Sequence, residues 1–312
     1  MKNALIIGPG HMGLMYLEVL SHLKFNIFIM GRSEDSFKNF DTDLKYIKVI
    51  SANGLLDIEK EKFDLIINCV SVDNLATVTK QLLKLSSKKY LIEKPGALEL
   101  NQLKEIENLA KAKNKEIFIA YNRRFYGSVL ETKKISNMDG GILSCDFDFT
   151  EWPSKFLDEG FSDKTLGEWF LANSTHVIDT VFYLIGKPDL INFISKRGID
   201  WSNSPSIMTG SGLSVNQIPF SFHSNWESAG NWKIQIYTPK RKIILSPMED
   251  FKYVLKDTNE IIEQDRTEID REFKPGLMKM VKSILDGNNS SICSLSDHIN
   301  NYVYYLKFRN HD

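Results

Sequence analysis

Three cysteines in 312 residues, Cys69, Cys145 and Cys293, are too few and too far apart for a disulfide framework, and no CxxC pair offers a zinc site. They read as reduced thiols of a cytoplasmic protein that holds no metal. Charge of one sign is lacking too: 39 lysines and arginines face 40 aspartates and glutamates, with no long basic run to neutralise a phosphate backbone. Nucleic acid is therefore not an expected partner. No apolar run reaches the ~18 residues that span a bilayer, so no membrane association is expected either. The opening apolar stretch is interrupted by Gly8 and reads as a strand rather than a leader. Repeats and low-complexity linkers are missing, and the length suggests roughly two closely packed domains.

What is present is an alternation. Strand-like runs at 4–7, 26–30, 65–70, 90–93 and 117–121 are separated by amphipathic helices at 12–23, 74–85 and 99–113, which predicts a doubly wound parallel sheet of Rossmann type over 1–121. Beyond Tyr121 the pattern shifts to strands at 141–150, 190–196, 215–223, 232–238 and 243–245 with few helices between them, and closing helices near 273–285 and 296–308. This predicts an α+β domain over 122–312 with a mainly antiparallel sheet, its terminal helices packing back on the body. An open sheet face needs a cover, for which a homodimer or higher homo-oligomer is the economical expectation.

Gly8-Pro9-Gly10-His11-Met12-Gly13 fits the dinucleotide-binding pattern and stands between an apolar strand and an amphipathic helix, the context that pattern requires. Gly8 allows the tight turn, Gly10 lets a pyrophosphate approach the backbone and Gly13 lets helix and strand pack closely. His11, most simply solvent-facing, and Met12 join this cofactor set. The second strand runs into Gly31-Arg32-Ser33 with no carboxylate at its end to bond a ribose. Gly31 would leave room for a 2′-phosphate that Arg32 and Ser33 could hold, so NADP(H) is expected over NAD(H). A solvated Arg32 is the competing account.

Glu93-Lys94-Pro95 closes a buried strand, and ligands of open α/β sheets bind outside the carboxyl ends of such strands. Side chains alternate along a strand, so Glu93 and Lys94 are expected to point to opposite sides, with the glutamate holding nearby backbone and Pro95 fixing the turn. Here the chain resembles the glucose-fructose oxidoreductase and inositol dehydrogenase (Gfo/Idh/MocA) family. The tripeptide carries most of the resemblance, together with the glycine loop, Tyr121-Asn122-Arg123-Arg124-Phe125 and His176-Val177-Ile178-Asp179. The resemblance implies a lysine at Lys94 that is catalytic or a close participant, a Lys-Pro peptide that is commonly cis, a histidine at His176 that binds substrate and sometimes transfers a proton, so that it joins Lys94 in the catalytic set, and an open-faced second sheet. It also exposes a departure, because Ala172 stands where the family often has an acid.

Chemistry supports Lys94 separately, since taking hydride from a carbinol needs a group to accept the hydroxyl proton. The ordinary lysine pKa of about 10.4 is high for this, and burial or nearby cations would lower it. His176 is expected in the first turn of an apolar helix, where the helix dipole favours its neutral ring. Asp179 could orient His176 or serve the helix start. Arg123 and Arg124 are expected near the cleft between the domains, one of them facing an anionic ligand or tying the domains by a salt bridge. Tyr121, Asn122, Asn173 and Trp169 complete the substrate set, Trp169 and Trp152 as sugar-stacking rings or core. The reading is an NAD(P)-dependent oxidoreductase acting on a carbohydrate-type alcohol or ketone. The alternatives are a redox-inactive dinucleotide-binding regulator of the same fold, or a lyase or glycosidase using nicotinamide transiently.

Overall fold

Strands covered on both faces must be apolar throughout, and Leu5, Ile6, Leu65, Ile67, Leu91 and Ile119 are all fully buried. The computed structural model describes residues 2–38, 40, 43–50 and 58–310. The chain divides into two compact units, Met1–Tyr121 with Leu277–Asn300, and Asn122–Gly276 with Asn301–Asp312.

In the first unit the strands Glu116–Ile119, Lys89–Ile92, Leu65–Asn68, Asn3–Ile7, Asn26–Gly31 and Ile47–Ile50 lie side by side in that order, all parallel. A short strand, Cys293–Ser294, closes the far edge antiparallel to Glu116–Ile119. The chain leaves Asn3–Ile7 toward one side and returns on the other. The strand order therefore reverses beside that strand, where crevices for dinucleotides open in sheets of this kind. The helices His11–His22, Leu75–Leu82 and Leu100–Ala112 follow their strands as the spacing of apolar residues predicts.

The second unit is built on an eight-stranded sheet. In spatial order its strands are Pro188–Lys196, Ile207–Ser214, Pro219–Asn225, Ser144–Phe149, Trp232–Tyr237, Arg241–Leu245, Phe251–Leu255 and Ile261–Gln264. Only the Pro219–Asn225 and Ser144–Phe149 pair is parallel. Alternation along Ser144–Phe149 buries Cys145, Phe147 and Phe149, and Phe149, Phe170 and Phe222 surround Phe308 at ring distances of 5.1–6.1 Å. Leu190 and Ile194 stand exposed on the outer strand.

Three expectations need correction. The strand expected at 215–223 is the second half of a hairpin, with Ile207–Ser214 before it and a turn at Val215–Ile218 in which Gln217 has φ 61°. Its first half is masked in the sequence by Gly210 and Gly212, which are small because neighbouring backbone presses on them: an added Cβ would lie 2.5 Å from Asn192 O and 2.3 Å from Leu190 O. The helix expected near 273–285 begins only at Leu277 and runs to Asp286, after a turn at Pro275 and Gly276, whose φ is 74°, and a separate short helix, Glu268–Glu272, precedes that turn. The second unit is also richer in helix than expected, with Gly127–Met138 in addition to the expected apolar helix, Thr175–Ile185.

Candidate functional site

The glycine turn shows which glycines the fold itself demands. Gly8 has φ 103° and its Cβ would meet Cys69 O at 2.8 Å, while a Cβ on Gly13 would lie 2.3 Å from Gly8 O. Gly10 differs, because its backbone is extended (φ −111°) and nothing lies within 4 Å of where its Cβ would stand. No packing requires a glycine there. The space it leaves open lies at the N-terminus of His11–His22, whose first turn has no side-chain cap and no acidic residue. A side chain there would fill the open space in front of these N–H groups. His11 is exposed, as expected, and Met12 half-buried.

At the end of the second strand, Gly31 has a reason unlike the expected one. Its Cβ would lie 2.6 Å from Phe37 Cε2 and 2.9 Å from Ser36 Cβ, so the missing side chain makes room for Phe37 rather than for a phosphate. Ser33 and Ser36 form a reciprocal capping box, and Ser36 Oγ accepts from the N–H groups of Arg32 and Ser33, both at 3.1 Å. Both hydroxyls keep a hydrogen to donate, and Arg32 is exposed beside them. Carboxylates stand close after all. Glu34 and Asp35 open the short helix Glu34–Phe37, and Glu34 is paired with Lys48, whose ammonium lies 4.7 Å over the Phe37 ring. Gly31→Ala is expected to cost about 1–3 kcal/mol by overpacking, with Phe37→Leu in the same chain restoring most of it. Unfolding midpoints of the two variants check this, and a Gly31→Ala chain as stable as the parent would return Gly31 to the phosphate-space role.

The Lys94 turn also departs from the strand-based expectation. The strand ends at Ile92, so alternation does not govern Glu93 and Lys94. They belong to a reverse turn closed by Gly96 N–H donating to Glu93 O at 2.9 Å, with Gly96 at φ 77° and a cis Lys94-Pro95 peptide. The Glu93 carboxylate has a side-chain partner. It accepts from the Tyr16 hydroxyl at 2.7 Å and so ties the turn to the helix that follows the glycine loop. Burial, reinforced by the Glu93 charge, pushes both the Tyr16 phenol and the Cys69 thiol well above their ordinary pKa values, which keeps them neutral. Sequence reasoning missed the residue that pins the other side of the turn: fully buried His298, whose Nε2 lies 2.8 Å from Pro95 O. Tyr121 packs its ring 5.6 Å from that of His298 and is 1% exposed, so it is a core residue here rather than a pocket lining.

In the second unit a cavity of about 370 Å³ gathers Arg123, Asn173 and Trp169 from the expected set, together with Glu151, Trp152 and Trp232. Asn122 is not among them; it is buried and donates to Pro275 O at 3.0 Å, which makes it a structural residue. Arg123 lies 4.6 Å over the Trp232 ring. Trp169 has one face covered by Phe156 at 3.8 Å, nearly parallel, which leaves that face closed to any ligand. The carboxylate of Glu151, only 4% exposed, accepts from Ser174 Oγ at 2.6 Å and from Asn173 Nδ2 at 2.9 Å. The sequence offered one signal for it, a charged residue ending an alternating strand, but no indication of its partners.

His176 is 6% exposed and its ring lies 6.2 Å from that of Trp232, next to the cavity but not on its wall. The helix it opens does not begin freely. The π-helical turn Phe170–Ser174 runs directly into Thr175–Ile185, and Ser174 bonds Glu151 instead of capping the helix. A helix without a free N-terminus gives no dipole reason for a neutral ring. Asp179 takes a two-pronged bond from Arg124, Nε to Oδ2 at 2.7 Å and Nη2 to Oδ1 at 2.6 Å, and is 0% exposed, a partner the sequence does not suggest. Arg124 is thereby withdrawn from ligand binding, leaving Arg123 as the arginine on the cavity. Among the described residues no cluster of potential metal ligands occurs and no helix is long and apolar enough to cross a membrane.

No family model and no curated protein matches this chain. Solved structures share its fold. UDP-N-acetylglucosamine 3-dehydrogenase GnnA from Acidithiobacillus ferrooxidans is 13% identical with a TM-score of 0.75, over 98% of this chain and 96% of that one. The super-repressor mutant of Gal80p from Saccharomyces cerevisiae is 15% identical with a TM-score of 0.75, over 98% and 94%. The WlbA dehydrogenase from Chromobacterium violaceum, solved with NADH and UDP-GlcNAcA, is 13% identical with a TM-score of 0.73, over 100% and 94%. Identities this low speak for the fold alone, a parallel Rossmann-type sheet plus a mainly antiparallel sheet. That is the fold the resemblance to Gfo/Idh/MocA oxidoreductases implied.

Proposed function

We propose that this protein is a nicotinamide-dependent oxidoreductase acting on a carbohydrate-type alcohol or ketone, with residues 1–121 serving the coenzyme and the second unit the substrate. One observation carries the reading. In a single sheet, the glycine turn after Asn3–Ile7 and the Lys94 turn after Lys89–Ile92 stand at carboxyl ends separated by one strand, and the Tyr16–Glu93 bond joins them. Gly8, Gly10, His11, Met12 and Gly13 would hold the diphosphate, with Glu93 and Pro95 setting the turn beside it. When bound, the coenzyme supplies hydride exchange. Lys94 takes the substrate hydroxyl proton in one direction and returns it in the other. His176, Arg123 and Asn173 bind substrate, and a second copy of the chain covers exposed Leu190 and Ile194.

NADP(H) is favoured through Arg32, with the Ser33 and Ser36 hydroxyls beside it as further donors. Losing one charge-assisted bond costs about 1.5–3 kcal/mol, so Arg32→Asp should weaken NADP+ binding by tenfold or more while leaving NAD+ nearly unaffected. Coenzyme titrations followed by thermal midpoint read both affinities. An unchanged ratio would mean that Arg32 is a solvated surface residue.

A second reading, a dinucleotide-binding regulator without turnover, is favoured by Ala172 at the position where the resemblance implies an acid, and by the likeness in fold to Gal80p. Reduced-nicotinamide fluorescence with a sugar panel separates the two. Turnover removes the regulator reading, and saturable coenzyme and sugar binding without turnover removes the enzyme reading.

A further inference from the structure

We infer that Glu151 is a positioning residue: it locks the Asn173 amide with its carbonyl oxygen toward the cavity of the second unit, so that Asn173 selects a ligand hydroxyl that donates over a group that only accepts. The inference rests on the carbohydrate reading above and refines it.

The orientation follows from which hydrogen bonds each group can make. An amide side chain has an accepting oxygen and a donating nitrogen, whereas a carboxylate only accepts. Asn173 Nδ2 donates to Glu151 Oε2 at 2.9 Å, which turns the amide oxygen away from the carboxylate. Reversing the amide would set oxygen against oxygen and forfeit a charge-assisted bond, a bias of about tenfold or more against the reversed form. Both ends of this bond are held in place. Glu151 is 4% exposed, and Thr150 before it donates its N–H to Asp148 Oδ1 at 2.8 Å and accepts from Asn225 N–H at 3.0 Å through its hydroxyl. Ser174 Oγ donates to Glu151 Oε1 at 2.6 Å, so the carboxylate grips two successive residues of the π-helical turn Phe170–Ser174. Among the described residues no donor meets Asn173 Oδ1.

Asn173 lines the cavity together with Trp152 and Trp232, whose flat apolar surfaces suit the C–H face of a sugar, and a space of about 370 Å³ matches one ring. An amide free to rotate would meet a hydroxyl with its oxygen and a fluorine or ether oxygen with its nitrogen. A locked amide cannot adapt, and a ligand lacking the hydrogen leaves its enclosed oxygen without a donor, which costs more than the bond itself contributes.

The test is a tryptophan-fluorescence titration of the full-length protein, with and without NADP+, using D-glucose, D-galactose and D-mannose and then the monodeoxyfluoro analogues of the tightest binder. At least one sugar should quench saturably, and fluorine at one position should weaken binding by about tenfold. Glu151→Gln keeps the shape but adds a donor. With its oxygen on Ser174, its nitrogen draws the Asn173 oxygen to itself, and the gap at that position should shrink to about threefold or less. Adding Asn173→Asp to Glu151→Gln puts an acceptor-only group back on the wall and should restore the gap of about tenfold. A purely structural Glu151 would weaken sugar and analogue alike and leave their ratio unchanged. A penalty arising at Glu159 or Glu249, the other carboxylates on the wall, would likewise persist in Glu151→Gln. Either result overturns the proposal, as do a failed rescue in the folded double variant, equal binding of every fluorinated analogue in the parent, and no saturable quenching by any of the three sugars. Circular dichroism checks each fold; if Glu151→Gln does not fold, Asn173→Ala decides, and a gap that survives in it overturns the assignment. Hydride transfer is read separately from coenzyme fluorescence. A fluorine penalty without turnover sinks the enzyme reading and leaves the positioning role standing, whereas turnover without the penalty does the reverse.

Discussion

Replacing Lys94 by alanine should lower turnover by about 10²–10⁴-fold, the usual contribution of a positioned acid–base group, with coenzyme affinity nearly unchanged. The two effects separate because they belong to different turns. The diphosphate contacts proposed above come from Gly8–Gly13 and the start of the helix His11–His22, none of which depends on the Lys94 side chain. The backbone that presents Lys94 is held by other residues, through Gly96 N–H on Glu93 O, Tyr16 on Glu93 and His298 on Pro95 O. Removing the amine should therefore leave the turn in place, and a kcat that falls while the coenzyme Kd stays constant is the expected signature. Equal turnover in the variant would remove Lys94 from the mechanism, and a matching loss of coenzyme binding would make it a binding residue instead.

The largest stability effect should come from a residue pair with no proposed chemical role. Arg124 and Asp179 meet in a two-pronged geometry with side chains 8% and 0% exposed, and Tyr305 adds a bond to Asp179 at 3.3 Å. Removing one partner leaves the other charge buried, so Arg124→Ala should cost about 3–5 kcal/mol. For a unit of this size that lowers the melting midpoint by on the order of 10 °C. Arg124→Met combined with Asp179→Leu should recover most of the loss, because replacing both charges removes the desolvation cost as well as the attraction. Calorimetry on the two variants and the parent reads this. A single variant within about 1 kcal/mol of the parent would show the pair to be solvated, as surface pairs are.

How much of this is legible in the chain depends on how far apart the interacting residues lie. The glycine turn is written in six consecutive residues between a strand and a helix, and the parallel sheet in apolar runs a few residues long, so local pattern reaches both. The Lys94 turn is legible for the same reason, though its conformation is not. Strand alternation carries the expectation past Ile92 to Glu93 and Lys94, because no local rule marks the point where pairing with Leu65–Asn68 stops. Gly31 is the instructive failure. A glycine at the end of the second strand reads as space for a ligand, yet the space is taken by Phe37, six residues on and brought back by a helical turn.

By itself the amino-acid sequence determined five strands and three helices of the first unit, though not its edge strands Ile47–Ile50 and Cys293–Ser294, together with the dinucleotide-type turn, the lysine at a strand's carboxyl end and the shift to a mainly antiparallel second sheet. Each of these is a local signal, periodicity or turn chemistry repeated within a few residues. Tertiary structure alone decided which polar groups pair: Arg124 with Asp179 across 55 positions, His298 with Pro95 across 203 and Glu151 with Ser174 across 23. Such pairings follow from how the elements pack, and a buried charge or hydrogen-bonding group must find its partner in space whatever the distance along the chain.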